Sequence, residues 1–342
     1  MISHPLVIAI LTVDGLTFVI GAVVALIAVQ TLLGWRPSET SERQLRLESR
    51  VEPAAIAAGA ELWTFTAATV LSTAALTHVL PGIVPGAMCG TGVLQAMGDD
   101  GWKAIALRMA ALVALFAANV ARRLNGSHPA APLTPWWASL SLFSFPFMAG
   151  AVLQTAAAFR NLDVAQPVNC CAVVYDAFGR TAGSTPLLVM PDSVRLILFV
   201  AVSLAVFGWA LFVSRHTRPS PAAALFLAAL ILAWMASSNG ALVHVLAAYI
   251  YQVLSHPCPW CLFLPEHHFA GFAFYGVWLW VGLEAAAAGT AAAAVRRQPD
   301  LEAAASRRIR LSAIRSAVGV ALFGLLSTTP ALWWRIQSGV WL

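Results

Sequence analysis

Eight times along this chain a run of mostly apolar residues lasts long enough to cross a hydrocarbon layer, which takes roughly 20 residues at 1.5 Å of helical rise each. The runs lie near residues 8–34, 55–80, 103–121, 136–158, 193–214, 222–254, 262–285 and 314–334. Inside a bilayer every backbone N–H and C=O must be satisfied within the protein, so each run is expected to be a helix. The sequence therefore predicts an all-α polytopic membrane protein of about eight transmembrane helices, forming one integral membrane domain over residues 1–342. Composition agrees: 60% of the residues are hydrophobic and 10% charged, against about a quarter charged in soluble domains. The first run, Leu6 to Leu33, is too long for the apolar core of a signal peptide, has no Lys or Arg before it and is followed by Arg36, so it reads as a span. The sixth run exceeds what a span needs and either tilts or projects toward Ser255 and His256.

Orientation follows from the arginines. The connections after helices 1, 3, 5 and 7 carry Arg36, Arg43, Arg46 and Arg50, then Arg122 and Arg123, then Arg215 and Arg218, then Arg296, Arg297, Arg307, Arg308 and Arg310. By the positive-inside rule these loops are cytoplasmic. Both termini and the connections 81–102, 159–192 and 255–261 then lie outside, in the periplasm if the membrane is a bacterial inner membrane. Trp136, Trp137, Trp333, Trp334 and Trp341 suit the headgroup level. The net charge of +5 is a topology signal, not a nucleic-acid footprint, and no phosphate-binding loop or dinucleotide fingerprint is present. The partners expected are the lipid bilayer and a periplasmic protein. No internal repeat is legible, and the alanine tract Ala285 to Ala294 reads as a helix end entering a cytoplasmic linker.

All five cysteines fall in the three outer connections: Cys89, then Cys170 and Cys171, then Cys258 and Cys261. Stable or cycling disulfides belong in oxidising compartments, so this placement agrees with the orientation read from arginine. Cys258-Pro259-Trp260-Cys261 stands at the expected mouth of helix 7, where unpaired amides and the helix dipole stabilise a thiolate. As an inert staple the pair would close a loop too short to constrain the unfolded chain much, so redox or metal chemistry is the stronger reading.

The segment Ala247 to Tyr275, AAYIYQVLSHPCPWCLFLPEHHFAGFAFY, resembles the cysteine-headed helix of vitamin K epoxide reductase homologues, and the disulfide-generating DsbB family uses a similar device. The resemblance covers less than a tenth of the chain. It implies that Cys258 and Cys261 exchange electrons with a membrane quinone, while a second cysteine pair exchanges with a thioredoxin-like periplasmic partner. Those families have four or five core helices and a compact loop pair, whereas this chain offers Cys89 and the adjacent Cys170 and Cys171. Neighbouring cysteines close only a strained ring, so Cys89 with Cys170 or Cys171 is the expected shuttle or structural disulfide. The glycine-rich run Pro81 to Gly98 either dips into the membrane edge or packs as an ordinary loop. The connection Phe159 to Asp192 is long enough to dock a partner.

Glu266 and His268 follow Cys261 within two turns, and on a continuous helix His268 would share its face. They read as a proton relay for thiol and quinone chemistry or as a hydrated interfacial cluster. His78 and His244 are candidate haem b ligands or simple hydrogen-bonded histidines, and His78 could join His256 or His268 as a haem or metal ligand. Arg108 is either the partner of Asp14 or a cation beside a quinone carbonyl. Three functions follow: a thiol:quinone oxidoreductase, a non-catalytic membrane anchor of a periplasmic electron-transfer complex holding haem b, and soft-metal (Cu, Zn or Hg) binding or transport.

Overall fold

The computed structural model describes residues 4–37, 41–168, 190–252 and 256–341. Cys170 and Cys171, and with them most of the long outer connection, lie outside the described residues. Among those described, eight helices are long and apolar enough to cross a membrane: α1 Pro5–Gly34, α2 Glu42–Ala74, α3 Asp99–Asn125, α4 Thr134–Arg160, α5 Asp192–Arg215, α6 Pro221–Ala241, α7 Ala270–Arg297 and α8 Glu302–Ser338.

Local chemistry explains where they start. His4 accepts the Leu6 N–H through its ring and Pro5 opens α1, a position where proline's missing donor removes no helical bond. Ser41 caps α2 by accepting from Gln44, and Ser220 caps α6 by accepting from Ala223, with Pro221 in the first turn. Along α1 the buried positions Val7, Ile10, Asp14, Thr17, Gly21 and Val24 recur at three- and four-residue steps, one stripe of a helix. Leu16, Val19, Leu26 and Leu33 on other faces are exposed. A helix that is small or polar inside and large and apolar outside is built to face lipid.

The chain divides into two compact units. One comprises Met1–Val79, Leu94–Val164 and Ala293–Ala305; the other comprises Leu80–Val93, Ala165–Ala292 and Ser306–Leu342. Within the first, α1 packs on α2 and α4, and α3 on α4. Within the second, α5 packs on α6, Phe199 of α5 meets Phe323 of α8, Trp278 of α7 donates to the Met235 carbonyl of α6, and Gly319 of α8 abuts Val281 of α7.

The two four-helix sets share one design, although the sequence shows no obvious repeat. In α2 the buried series Ala58, Glu61, Phe65, Ala68 and Ser72 reappears at one constant offset as Ala224, Leu227, Ile231, Trp234 and Ser238 in α6. Buried Trp137, Ser144, Met148 and Thr155 of α4 correspond likewise to buried Ala305, Ser312, Ser316 and Phe323 of α8. Buried Gly101, Ala104, Ala111 and Leu115 of α3 match buried Gly271, Phe274, Val281 and Ala285 of α7. Asp14, Gly21 and Ala25 of α1 match Phe199, Val206 and Ala210 of α5. Both second helices end in a π turn, Ala75–Val79 and Leu242–Leu246, within the near-identical strings Ala75 to Leu80 (ALTHVL) and Ala241 to Leu246 (ALVHVL). Side-chain identity differs between the sets while the periodicity of burial is alike, which is why the likeness escapes a reading by eye.

One expected boundary changes. Helix 7 begins at Ala270, not near 262. Pro265 holds Leu264 in extended geometry, φ −74° and ψ 152°, because the ring of a proline disfavours helical backbone just before it. His268 and Phe269 then adopt positive φ, 55° and 57°, so the apolar run from Leu262 is turned before a helix can form. The alanine tract forms the expected helix end, with α7 running on to Arg297. Ala287, Ala288, Ala291, Ala292 and Ala294 are fully buried in α7, where small side chains let helices approach closely.

Candidate functional site

Three thiols converge inside the second unit. Cys89 follows the turn that ends the Leu80–Gly82 segment and immediately precedes a short helix, Gly90–Ala96. Cys258 is extended and precedes the 3₁₀ turn Pro259–Phe263, which carries Cys261. The sulfurs of Cys89, Cys258 and Cys261 lie within 4.8 Å of one another, all buried; Cys89 and Cys258 are 3.7 Å apart. The Pro81 to Gly98 run thus packs into protein, with Leu80, Val84, Cys89 and Val93 buried.

The two cysteine loops are held by backbone and by an aromatic lid. A side chain on Gly90 would put its Cβ 2.6 Å from the Trp260 ring, so only glycine lets that indole close over the Cys89 loop. Gly86, at φ +77°, is pressed against the Val168 carbonyl, and Val168 donates to the Pro85 carbonyl at 2.9 Å. The Tyr251 hydroxyl donates to the Cys258 carbonyl at 2.5 Å. Trp260 leads into further rings: Phe263 lies 5.8 Å from it and stacks on Tyr275 at 5.5 Å and 14°.

Polar neighbours divide the sulfurs. The Thr91 hydroxyl is 3.2 Å from Cys258 Sγ, and His256 Nε2 is 3.1 Å from Cys261 Sγ. Hydrogen bonding from Cys261 and Cys89, with Thr91 adding to it, holds the Cys258 thiol far below its ordinary range despite burial. Donation to Cys258 and Cys89, together with burial, pushes Cys261 up. Two adjacent sulfurs do not both ionise readily, and these contacts favour the thiolate on Cys258 over Cys261; a thiolate is the nucleophile in thiol–disulfide exchange.

Several expected site residues fall elsewhere. Glu266 sits on the 3₁₀ turn Pro265–His267 and is exposed. His268, in left-handed backbone, is also exposed and shares no helical face with Cys261, because no helix joins them. His256 contacts a site sulfur instead, and His267 packs its ring 4.6 Å from Tyr251; burial lowers the His267 pKa, opposed by the Glu266 charge. The helix-mouth dipole expected for the pair is replaced by thiol and hydroxyl donors, since α7 begins nine residues after Cys261. His78, exposed, and His244, half-buried, belong to different units and each occupies a π turn. Arg108 is engaged in the first unit, bonded to Asp14 and, at 3.0 and 3.1 Å, to Thr155.

Thr91 and Tyr251 were not singled out in the sequence, and His256 only as a haem or metal ligand beside His78. His256 carried the one available signal, its place two residues before Cys258. That Cys89 joins the pair depends on chain packing over a separation of 169 residues, which no local pattern encodes. No family model, no curated protein and no solved structure matches this chain.

Proposed function

We propose that the chain is a membrane thiol:quinone oxidoreductase whose working centre is Cys258 and Cys261, with Cys89 as the exchanging third thiol. The observation that carries this reading is the packing of three buried sulfurs within 4.8 Å, arranged so that Cys258, the thiolate, is in reach of both others. Oxidation of the Cys258 thiolate and the Cys261 thiol forms one S–S bond and releases two electrons and one proton; a quinone takes up the electrons with that proton and a second from water to become quinol. Exchange with Cys89 moves the disulfide: the Cys89 sulfur attacks Cys258, a Cys89–Cys258 bond forms, and Cys261 leaves as the thiolate and takes a proton. Flow in the opposite sense runs the same steps backwards.

His256 is placed to move the Cys261 proton, since its ring nitrogen is the one imidazole contact to that sulfur among the described residues. The rings of Trp260, Phe263 and Tyr275 offer the flat apolar contact a quinone head requires. The local resemblance to vitamin K epoxide reductase homologues supports the same chemistry at Cys258 and Cys261. Arginine placement supports an outward-facing centre in a bacterial inner membrane, both termini outside, served by a periplasmic thioredoxin-like protein through Cys89 and the Cys170–Cys171 loop. The test is quinone-coupled oxidation of a dithiol by the purified protein. Cys258→Ser/Cys261→Ser is expected to abolish it, and full turnover in that variant would end the proposal.

A second reading rests on the same three sulfurs. Three thiolates with His256 beside them form a soft donor set for Cu(I), Zn(II) or Hg(II). Stoichiometric metal in protein purified with reduced thiols, lost in Cys89→Ser, would favour this reading; metal-free protein with full thiol turnover would favour the first.

A further inference from the structure

The matched design of the two helix sets isolates what one possesses and the other lacks. In the first, Asp14, Arg108 and Thr155 form a buried polar triad: Arg108 bonds the Asp14 carboxylate and the Thr155 hydroxyl. The equivalent positions in the second are Phe199, Trp278 and Phe323, an aromatic packing with Phe199 and Phe323 ring centres 5.9 Å apart. The same four-helix architecture therefore closes without charge at this point. Buried ion pairs seldom add net stability over well-packed apolar residues, and an ionisable group at membrane depth marks an ion or proton path more often than a structural need.

The triad is incompletely satisfied. Asp14 Oδ1 and Arg108 Nη1 are buried and have no hydrogen-bond partner among the described residues, while the two side chains are 0% and 4% exposed. Each is a strong acceptor or donor with capacity left for one more polar species, which at this depth means water or a proton carrier.

From the triad, polar groups continue along the interior of the first unit in steps of about one helical turn, some 5 Å. Thr17, one turn from Asp14, donates to Thr64 at 2.9 Å. Glu61 lies one turn from Thr64, is 3% exposed, and presses its carboxylate on Gly21, where a Cβ would come 2.6 Å from Oε1. One turn further, the Ala58 carbonyl accepts from Asn119 at 3.0 Å, and Arg122, near the end of α3, donates to Asn119 at 3.3 Å. A single water bridges gaps of this size. In the second set the positions of Thr17, Thr64, Glu61, Asn119 and Arg122 are Val202, Leu230, Leu227, Gly289 and Ala292. Every polar member has an apolar counterpart.

We propose that the first unit is a proton path through the membrane, running from Asp14, Arg108 and Thr155 by way of Thr17, Thr64 and Glu61 to Asn119 and Arg122. Asp14 and Glu61 are the groups that take up and release the proton. Arg108 keeps Asp14 in place and blocks the passage of other cations by its charge. No electron transfer is involved, and the path stands whether or not the cysteine centre reacts with quinone.

The test uses the full chain in phosphatidylcholine vesicles with a trapped pH-sensitive dye, a potassium gradient and valinomycin setting the voltage, and no thiol or quinone present. Wild-type vesicles are expected to change internal pH faster than protein-free vesicles, and isosteric Glu61→Gln is expected to return them to the protein-free rate. Asp14→Phe/Arg108→Trp/Thr155→Phe installs the second set's residues; it is expected to remain folded, by melting temperature in detergent, and not to conduct. Wild-type vesicles no faster than empty ones would overturn the proposal, as would a Glu61→Gln variant that conducts like wild type. If the triple variant fails to fold, Glu61→Gln alone decides.

Discussion

The two four-helix sets of this chain bury many corresponding helical positions and fill several of them with opposite chemistry. Where α1, α3 and α4 place Asp14, Arg108 and Thr155, α5, α7 and α8 place Phe199, Trp278 and Phe323. The connection after α2 reads Cys89-Gly90-Thr91-Gly92, and the one after α6 reads Cys258-Pro259-Trp260-Cys261. A helical bundle in lipid fixes which positions face inward, through the three- and four-residue spacing of small or close-packing groups. It leaves open what those positions carry. The pattern of burial is thus largely shared, and the chemical differences lie in the substitutions.

The comparison breaks most readily at the cysteines. Cys258→Ser should lower dithiol oxidation by about a thousandfold or more, since the attacking thiolate is lost; Cys89→Ser should retain oxidation of Cys258 and Cys261 by quinone in single turnover while losing exchange with a protein partner. Rapid-mixing kinetics with a soluble quinone separates the two.

Next in size is the core. Phe323 packs against Phe199, Trp234 and Phe274, so Phe323→Ala should destabilise the second unit by about 3–5 kcal/mol. Asp14→Leu alone leaves Arg108 buried without its carboxylate and should cost about as much, 3–5 kcal/mol, whereas Asp14→Leu/Arg108→Leu should lie close to wild type. Unfolding in a mixed-detergent titration checks all three, and a double variant as unstable as the single would show that the ion pair is needed for folding.

Smaller effects sharpen the picture. Gly90→Ala drives a methyl into the Trp260 ring and should cost about 1–3 kcal/mol, read as a fall in melting temperature and a shift in tryptophan emission. Ser72 and Ser238, equivalent and buried, bond to carbonyls of their own helices; each serine to alanine change should alter stability by less than about 1 kcal/mol. The smallest expected change is with pH. Cys258 is held as thiolate below its ordinary titration range, so its reaction with a small neutral thiosulfonate should stay level as pH falls from about 9 through neutrality, where an ordinary thiol with pKa near 8.5 loses reactivity. The sign also bears on stability: a depressed thiol pKa stabilises the folded state above the ordinary thiol pKa, and that contribution is lost only as pH falls through the depressed value.

The sequence announces the helices because apolar length is a property of contiguous residues. Five of the eight helices, α1, α3, α4, α5 and α8, enclose the runs read from it; α2 and α6 give way to π turns at Ala75 and Leu242 before their runs end, and the start of α7 shifts, where Pro265 and two left-handed residues interrupt an apolar string. The Cys258 and Cys261 pair was legible for the same reason, being local. The meeting of Cys89 with them, the role of His256 in place of His268, and the correspondence of α1–α4 with α5–α8 were not. The first depends on packing between distant segments, the second on a break in helical geometry, and the third on a burial pattern that survives when residues such as Glu61 and Leu227 share nothing chemically.

The π turns carry a consequence for direction. Each is a helix that has absorbed one extra residue, so everything beyond it is rotated by about 100° relative to an uninterrupted α-helix. One lies at His78 and the other at His244, within nearly identical strings. The connection that holds Cys89 and the one that holds Cys258 thus each leave their helix on a face that the apolar spacing of the preceding turns would not set.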